Sequence, residues 1–440
     1  MRVTRPLIST SVHPLLRFPY ATLGALAEVA AALSPGRSPG MAKWRRTFSA
    51  RRGLADRMHA FAERRDPSRP MAWFHAPSVG EALMALPVLH GLRDAMPAAQ
   101  RALTWYSPST EAFAARFDVD FRDYLPFDTV HGAVTSLDAI RPTALVYSKL
   151  DVWPVLTERA AGRGVRLGLI AATMRPGSAR QGILARGLLA DAYARLDTVG
   201  AVTAEDAERL VALGARRDAV TVTGDTRYDQ VWERVNRIDR SAPPVSTLAS
   251  DRPTIVAGST WPADEGPLLE AWEQVRRRFP AARLILAPHE PNPEHTAPLR
   301  AWGMRAGVTT ALESEPQAAE ADLIIVDRVG VLGELYALAT GAFVGGGFHG
   351  LGLHSVLEPA ALGIPVTFGP QWNQSRDAAG LVAARGGQPV SGAAEMAKTL
   401  ERWLSDEDSR AEAGRAAEAF VRAGLGAAHR SVELVSQLLR

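Results

Sequence analysis

Cysteine is absent from the 440-residue chain, and lysine occurs only three times among its 50 basic residues. The absence of cysteine excludes disulfides and thiolate metal sites, and it is typical of a reducing compartment. No Asp-x-Asp triplet follows a predicted strand, no lysine follows the glycine-rich loop, and the histidines do not cluster at metal-ligand spacing. We therefore expect neither a metal ion nor another cofactor.

The composition is that of a globular protein with large cores, since 47% of the residues are hydrophobic and 22% are charged. Apolar runs rich in Val, Leu and Ile alternate with helical patterns from about residue 71 onward. Because these runs do not alternate with polar residues, we expect parallel strands buried on both faces. The predicted fold class is α/β, with two doubly wound Rossmann-like domains facing each other across a cleft. Ligands bind such sheets at the carboxyl ends of the strands.

The pattern divides the chain into five segments. A stretch rich in proline, serine and charge separates the two alternating regions and is typical of a linker. The predicted divisions are an N-terminal apolar and basic, membrane-associating segment over 1–55, a first Rossmann-like domain over 56–233, a linker over 234–252, a second Rossmann-like domain over 253–425, and a C-terminal helix over 426–440.

Positive charge is concentrated at the N-terminus, where residues 1–70 hold 13 basic and 4 acidic residues. An apolar stretch over 15–33 precedes a cluster of basic residues, which is typical of an interfacial membrane anchor. The cluster comprises Arg37, Lys43, Arg45, Arg46, Arg51 and Arg52. Arg17, Pro19 and Glu28 argue against a full membrane span. A cleaved signal peptide and a leader helix that is solvated or packed on the fold stay open as alternatives.

The stretch HAPSVGEALMALP, residues 75–87, brings a carboxylate to the end of a predicted strand. Small residues end the strand, and Glu81 opens a run with leucines at helical spacing. Two interpretations are open: Glu81 complements the positive end of the helix dipole, or it acts on a ligand at the strand end.

The stretch AFVGGGFHGLGLHSVLEPAALGIPVTFGP, residues 342–370, predicts a phosphate site. A strand ends in three glycines, and we expect a helix to begin around 353–355, with Glu358 one turn inside it, where it can bind ribose hydroxyls. Ser259 and Thr260 follow another strand as a weaker site of the same kind, and His289 follows a third. Packing alone also explains such a glycine-rich loop, and His289 is equally well explained as an ordinary loop residue.

Seven blocks, in this order and spacing, resemble the 3-deoxy-D-manno-octulosonic acid (Kdo) transferases, which are GT-B glycosyltransferases of lipopolysaccharide synthesis. The resemblance extends from about residue 40 to 425. The blocks are HAPSVGE, SKLDVWP, VTGDTRYD, GSTW, APHE, VDRVGVL and GGGFHGLGLHSVLEPAALGIPVTFGP.

The resemblance implies metal-independent, inverting transfer of Kdo from CMP-Kdo to a hydroxyl of the lipid A precursor, lipid IVA. Glu81 then matches the general base of the family. The resemblance also implies that the domain over 56–233 binds the acceptor and that the domain over 253–425 binds the nucleotide-sugar. It also implies a peripheral or anchored enzyme at the cytoplasmic face of the inner membrane, on anionic lipids, with no nucleic-acid partner. The residues expected to bind donor or acceptor are Ser78, Gly80, Lys149, Asp151, Ser259, Thr260, His289, Gly346, Gly347, His354, Ser355 and Glu358.

The chain departs from the family pattern at several of these positions. Many members have Glu-Thr-Glu at residues 149–151, where this chain reads Lys-Leu-Asp, and histidine-asparagine at 354–355, where it reads His-Ser. A family glutamate also falls on Val331. Three other functions stay open: a GT-B transferase that uses a UDP-sugar, a nonhydrolysing sugar-nucleotide epimerase, and a noncatalytic nucleotide-sugar binder.

Overall fold

The computed structural model describes residues 20, 22, 24, 26, 43–350 and 352–440. These residues form two units. The first unit contains the described residues up to Gln230 together with Leu425–Arg440, and the second unit contains Val231–Gly424. Each unit is built on a seven-stranded sheet in which every strand pairing is parallel.

The sheet of the first unit has the strand order β3-β2-β1-β4-β5-β6-β7. Its strands are β1 Met71–Ala76, β2 Gln100–Trp105, β3 Phe121–Tyr124, β4 Ala144–Ser148, β5 Arg166–Ala172, β6 Thr198–Ala201 and β7 Val220–Val222. Its helices are α1 Lys43–Ser49, α2 Leu54–Arg64, α3 Val79–Ala95, α4 Val130–Ile140, α5 Pro154–Gly162, α6 Ile183–Ala194 and α7 Ala204–Leu213. Helix α8, Thr226–Asn236, begins in the first unit and ends in the second.

The sheet of the second unit has the strand order β10-β11-β9-β8-β12-β13-β14. Its strands are β8 Thr254–Thr260, β9 Arg283–Pro288, β10 Thr310–Leu312, β11 Leu323–Ile325, β12 Gly341–Val344, β13 Val366–Phe368 and β14 Gly387–Pro389. Its helices are α9 Pro262–Arg278, α10 Pro293–Arg305, α11 Leu332–Leu335, α12 Leu357–Ala361, α13 Arg376–Ala383, α14 Ala393–Ser405 and α15 Glu407–Ala423. The chain then returns to the first unit as α16, Ala427–Leu439.

The central strands are buried along their whole length, as the apolar runs predict. All six residues of β1 are buried, and so are all five of β4. The strand order reverses between β1 and β4 in the first unit and between β8 and β12 in the second. These reversals are the topological switch points at which doubly wound sheets bind ligands. The predicted α/β class with two doubly wound domains is confirmed.

Four strands lack the apolar run that marks the others. Strands β3, β7, β10 and β14 are three or four residues long and lie in the outer parts of their sheets. Two of the three residues of β7 are exposed, so burial does not require a long apolar run in this strand. The alternation of strands and helices therefore predicted the centre of each sheet and missed these four strands.

The segment predicted as a linker over 234–252 packs on the second unit. Its first residues complete α8, and Val245 and Leu248 are buried. The carbonyl of Leu248 accepts a hydrogen bond from the buried Arg283 at 2.6 Å. Burial and hydrogen bonding, rather than a lack of structure, therefore characterise this proline-rich stretch.

The C-terminal helix α16 completes the first unit. It packs on α3 and on β5, and its residues Val432, Val435 and Leu438 are buried. Both oxygens of Asp229 accept backbone N–H hydrogen bonds at its start, from Gly426 at 2.8 Å and from Ala428 at 3.0 Å. The two places where the chain passes between the units are therefore hydrogen-bonded to each other.

Most of the predicted membrane segment over 1–55 lies outside the described residues. Its described end belongs to the folded first unit. The prediction that Arg51 belongs to a membrane-binding basic cluster is wrong. Arg51 is buried, its guanidinium donates to the carbonyl of Leu125 at 2.7 Å, and it lies 4.3 Å from the ring centre of Tyr106. It cannot meet lipid headgroups, because its hydrogen bonds are made inside the fold.

One described residue of the apolar stretch contacts the first unit. The hydroxyl of Tyr20 donates a hydrogen bond to the buried carboxylate of Asp128 at 2.7 Å. This contact favours the packed alternative for that part of the stretch. Among the described residues, no helix combines the length and apolar character that crossing a bilayer requires.

Candidate functional site

Glu81 lies in the first turn of α3, directly after the end of β1. Its Oε1 atom accepts a hydrogen bond from Lys149 Nζ at 2.9 Å, and its Oε2 atom accepts one from the Ser78 hydroxyl. Its side chain is only 13% exposed. Gly80 lies in the same turn and leaves room beside the Ser78 hydroxyl. The sequence-predicted residues Ser78, Glu81 and Lys149 therefore form one cluster at the switch point of the first unit.

The backbone at the end of β4 brings Lys149 to this cluster. Lys149 has a positive φ of 69°, a left-handed conformation that residues other than glycine seldom adopt. The preceding hydroxyl, that of Ser148, donates to the backbone carbonyl of Glu81 at 2.9 Å. The end of β4 is thus bound to the first turn of α3 through both backbone and side chain. Strained residues of this kind are concentrated at functional sites.

The surroundings of Glu81 favour its ionised form. Burial by itself raises the pKa of the carboxyl, but the hydrogen bonds from Lys149 and Ser78 and the charge of Lys149 outweigh it. The pKa of Glu81 is therefore below its ordinary value. At neutral pH the side chain is a carboxylate that can accept a proton.

Asp151 lies two residues after Lys149 and is paired with Arg180, which the sequence reasoning did not single out. Arg180 Nη2 donates to Asp151 Oδ1 at 2.7 Å. Burial raises the pKa of Asp151, the nearby charge of Arg180 opposes that effect, and the charge of Glu81 adds to it. Arg180 follows β5 in a loop with two arginines and no acidic residue, and this composition was the available signal.

A buried hydrogen-bonded chain supports the same strand end. His75 Nε2 accepts from Trp153 Nε1 at 2.8 Å, so its Nδ1 carries the proton shared with the Thr104 hydroxyl at 3.1 Å. That hydroxyl also accepts from Trp73 Nε1 at 2.9 Å. Burial, with a smaller contribution from the charge of Arg51, lowers the pKa of His75 to about 3. His75 is therefore a neutral structural residue that holds Trp153, the N-cap of α5.

In the second unit, the glycine-rich loop after β12 is held by a buried carboxylate. Asp264 Oδ2 accepts from the backbone N–H groups of Gly346 at 2.8 Å and Trp261 at 3.0 Å, and Oδ1 accepts from Phe348 at 3.1 Å. Gly346 has a φ of 94°, which favours glycine. A side chain on Gly347 would collide with the backbone of Gly369. The loop is thus shaped by packing and by Asp264, whose place in the first turn of α9 was its only sequence signal.

Aromatic rings gather beside this loop. His354 Nε2 accepts from Trp261 Nε1 at 3.0 Å, and the rings of His354 and His289 stack with centres 4.4 Å apart. The ring of His349 meets that of Trp261 edge-on at 5.4 Å. Burial, followed by the neighbouring His289, lowers the pKa of His354 to about 4. The sequence-predicted His289 and His354 therefore lie together as part of one aromatic surface.

The helix after the glycine-rich loop differs from the prediction. It begins at Leu357 rather than around 353–355 and has only five residues. Gly352 has a φ of 105°, and the N–H of His354 bonds back to the carbonyl of Gly345 at 3.1 Å, so this stretch follows the strand end instead of forming a helical turn. Ser355 Oγ accepts from the Leu357 N–H at 3.4 Å. A five-residue helix cannot supply the dipole that the prediction assumed.

Two of the three remaining predicted residues of the second unit, Glu358 and Thr260, have side-chain partners in the protein. Glu358 Oε1 accepts from Arg234 Nη1 of α8 at 2.5 Å, a partner that sequence reasoning missed. Thr260 Oγ1 donates to Glu265 Oε1 at 2.8 Å. Ser259 has a φ of 56°, a second strained residue at a strand end. Glu358 can therefore bind a ribose hydroxyl only with an oxygen that Arg234 leaves available.

Comparison with known proteins shows similarity to one family of transferases. A model of the 3-deoxy-D-manno-octulosonic-acid transferase (kdotransferase) family matches residues 47–230. The chain is 29% identical over 385 residues to such a transferase from Bordetella pertussis, covering 85% of this chain and 88% of the relative. It is 24% identical over 397 residues to the transferase from Haemophilus influenzae, covering 88% and 92%. The chain is therefore similar to proteins of this family over most of its length. It is a glycosyltransferase.

The fold of this transferase is also found in solved structures. A UDP-GlcNAc 2-epimerase from Neisseria meningitidis bound to UDP-GlcNAc aligns with a TM-score of 0.62 over 83% of this chain and 100% of the epimerase. At 13% identity this similarity concerns the fold alone. The Ser78, Glu81 and Lys149 cluster and the pair of Asp151 and Arg180 lie within the residues that match the family model.

Proposed function

We propose that the protein transfers Kdo from CMP-Kdo to a hydroxyl of a lipid A precursor, with inversion at the anomeric carbon. The observation that carries this proposal is the carboxylate of Glu81, which is largely buried and ionised at the switch point of the first unit. The similarity to this family and the names of the curated relatives support Kdo as the transferred sugar.

In this proposal Glu81 is the general base. It accepts the proton of the acceptor hydroxyl while that oxygen forms a bond to the anomeric carbon of Kdo. The bond between this carbon and the phosphate oxygen breaks, and its electron pair leaves with CMP. A single displacement of this kind inverts the configuration. A positioned base contributes about 10²–10⁴ in rate.

Lys149 and Ser78 position this base. Both of their hydrogen bonds end on the Glu81 carboxylate, and each carboxylate oxygen keeps lone pairs for a further donor. The acceptor hydroxyl needs one of those lone pairs. Lys149, with its side chain 39% exposed, can also attract an anionic group of the acceptor. The change from glutamate in many family members to lysine here therefore suggests an acceptor that bears negative charge at this point.

The second unit is the proposed donor site. In this proposal the phosphate of CMP lies beside the glycine-rich loop, and the ribose donates to the Glu358 oxygen that Arg234 leaves available. The rings of Trp261, His289 and His354 offer aromatic surface beside them. The leaving group is a single phosphate monoester, and we propose that transfer needs no divalent metal.

The test is product formation from CMP-Kdo, generated in situ, and a tetraacylated lipid A disaccharide. We expect a lipid product heavier by one or two Kdo masses, formed equally when EDTA is added after the donor has been generated. The matched controls replace CMP-Kdo with UDP-GlcNAc or UDP-glucose. A product only with a UDP-sugar, or nucleotide binding without any product, would contradict the proposal.

A further inference from the structure

A buried carboxylate from another part of the chain caps α5. Trp153, the N-cap residue, makes no side-chain capping hydrogen bond, and Pro154 has no N–H to donate. Asp128 accepts the two N–H groups that follow, from Val155 at 3.0 Å and from Leu156 at 2.8 Å. Its side chain is buried. The start of α5 is therefore fixed by a residue of the turn that precedes α4.

Tyr20 supplies a third hydrogen bond to this carboxylate. Its hydroxyl donates to Asp128 Oδ2 at 2.7 Å, the oxygen that also accepts from Val155. Burial, followed by the charge of Asp128, raises the pKa of the Tyr20 hydroxyl, and the charge of Asp151 adds a smaller contribution. The hydroxyl is thus protonated at neutral pH, and it lies near enough to Asp151 to be affected by the charge of that residue.

The described residues beside Tyr20 show which side of the stretch faces the fold. Gly24 has helical backbone and lies four residues after Tyr20, so the two share a face. A side chain on Gly24 would collide with the methyl group of Thr129, at 2.9 Å. Leu26 lies on another face and is 61% exposed. Tyr20 and Gly24 therefore pack on the same turn, at residues 128–129.

The position of α5 in turn determines where two predicted site residues lie. Residues 149–153 are the whole connection between β4 and α5. This connection carries Lys149, which binds Glu81, and Asp151, which binds Arg180. A short connection that is fixed at both ends holds its side chains in place.

We propose that Tyr20 is a positioning residue for transfer. Its hydroxyl completes the hydrogen bonds of Asp128, and Asp128 holds the start of α5 and with it the loop of Lys149 and Asp151. Tyr20 precedes residues 47–230, which match the family model, so the model does not assign this role. Without the hydroxyl, the buried carboxylate loses one of three donors, which weakens the cap. The role in transfer rests on the proposed function, whereas the contact itself does not.

The first test is hydrogen exchange, followed by mass spectrometry, of full-length Tyr20→Phe in dodecyl maltoside without substrates. Phenylalanine keeps the ring and removes only the donor. We expect the amides of Val155 and Leu156 to exchange about tenfold faster than in the wild type, with exchange in β4 unchanged. The matched control is Tyr124→Phe, which removes a hydroxyl hydrogen bond to Glu111 at the edge of the same sheet. It should leave exchange at the start of α5 unchanged.

The second test is the steady-state transfer rate of the same variants. We expect kcat to be about tenfold lower in Tyr20→Phe, with the dissociation constant of CMP unchanged in calorimetry. Tyr124→Phe should transfer as the wild type does.

Three results would overturn the inference. They are unchanged exchange at Val155 and Leu156, faster exchange there with the kcat of the wild type, and equally faster exchange in β4, which would indicate a general loss of stability. If the wild type transfers no Kdo, the proposed function fails, and the exchange experiment still decides whether Tyr20 holds the start of α5.

Discussion

Replacing Lys149 by methionine tests whether this cation keeps the proposed base ionised. Methionine preserves most of the length of the side chain and removes its charge. In the wild type the pKa of Glu81 is lowered, so the carboxylate persists as pH falls. Without the Lys149 hydrogen bond and charge, burial is less opposed, and the pKa of Glu81 must rise. The acid limb of kcat/KM against pH should therefore move to higher pH.

The magnitude follows from the geometry of the pair. The Nζ to Oε1 distance is 2.9 Å, but the lysine side chain is 39% exposed and is screened by water. A pair of this kind contributes about 1 kcal/mol, which corresponds to about a fivefold loss of relative activity on the acid side. At pH 8, where Glu81 is ionised in both proteins, the loss should be smaller.

The assay is the initial rate of CMP release with CMP-Kdo and acceptor from pH 3.5 to 9, a range that includes the acid limb. Lys149→Arg keeps a cation and should retain the acid limb of the wild type. A uniform loss at every pH, with the limb unmoved in Lys149→Met, would refute the reasoning and would reduce Lys149 to a purely structural residue.

Three further predictions concern the supporting residues. Asp264→Ala leaves three backbone N–H groups without their carboxylate. It should lower the free energy of unfolding by about 3 kcal/mol in a urea titration. An unchanged midpoint would contradict this. Arg234→Gln and Glu358→Gln should each weaken CMP binding about tenfold in calorimetry. Both variants should also lose part of the protein's preference for CMP over 2′-deoxy-CMP. An undiminished preference in both variants would exclude these residues from ribose recognition. His75 has a pKa of about 3 in the fold and an ordinary value of 6.5. As pH falls from 7 to 5, His75 is protonated in the unfolded chain only, and the wild type should lose about 2 kcal/mol of its free energy of unfolding. His75→Gln should lack this contribution, and equal pH dependence in the two proteins would contradict it.

The sequence predicts those parts of the sites that depend on local pattern. The end of β1 at Ala76 and the helix that contains Glu81 follow from an apolar run, small residues and helical spacing. The turn at Gly346 follows from the need for a positive φ. Each of these features is encoded within one short stretch of the chain, so a single sequence suffices to find it.

The partners of the site residues could not be predicted in the same way. Arg180 lies 29 residues from Asp151, and Arg234 lies 124 residues from Glu358. Such pairs depend on how loops and helices pack, and an arginine near a carboxylate in space has no periodicity in sequence. The late start of α12 likewise results from the path of the loop along the strand end.

The most direct test of the proposed catalysis is single-turnover transfer by Glu81→Gln beside the wild type. Glutamine keeps the size and the hydrogen-bonding reach of the side chain but cannot accept the acceptor proton. With CMP-Kdo and the tetraacylated acceptor both saturating, we predict a rate lower by about 10²–10⁴ with CMP binding unchanged. A rate within about threefold of the wild type would contradict the account and would leave Glu81 as a residue that only stabilises the first turn of its helix.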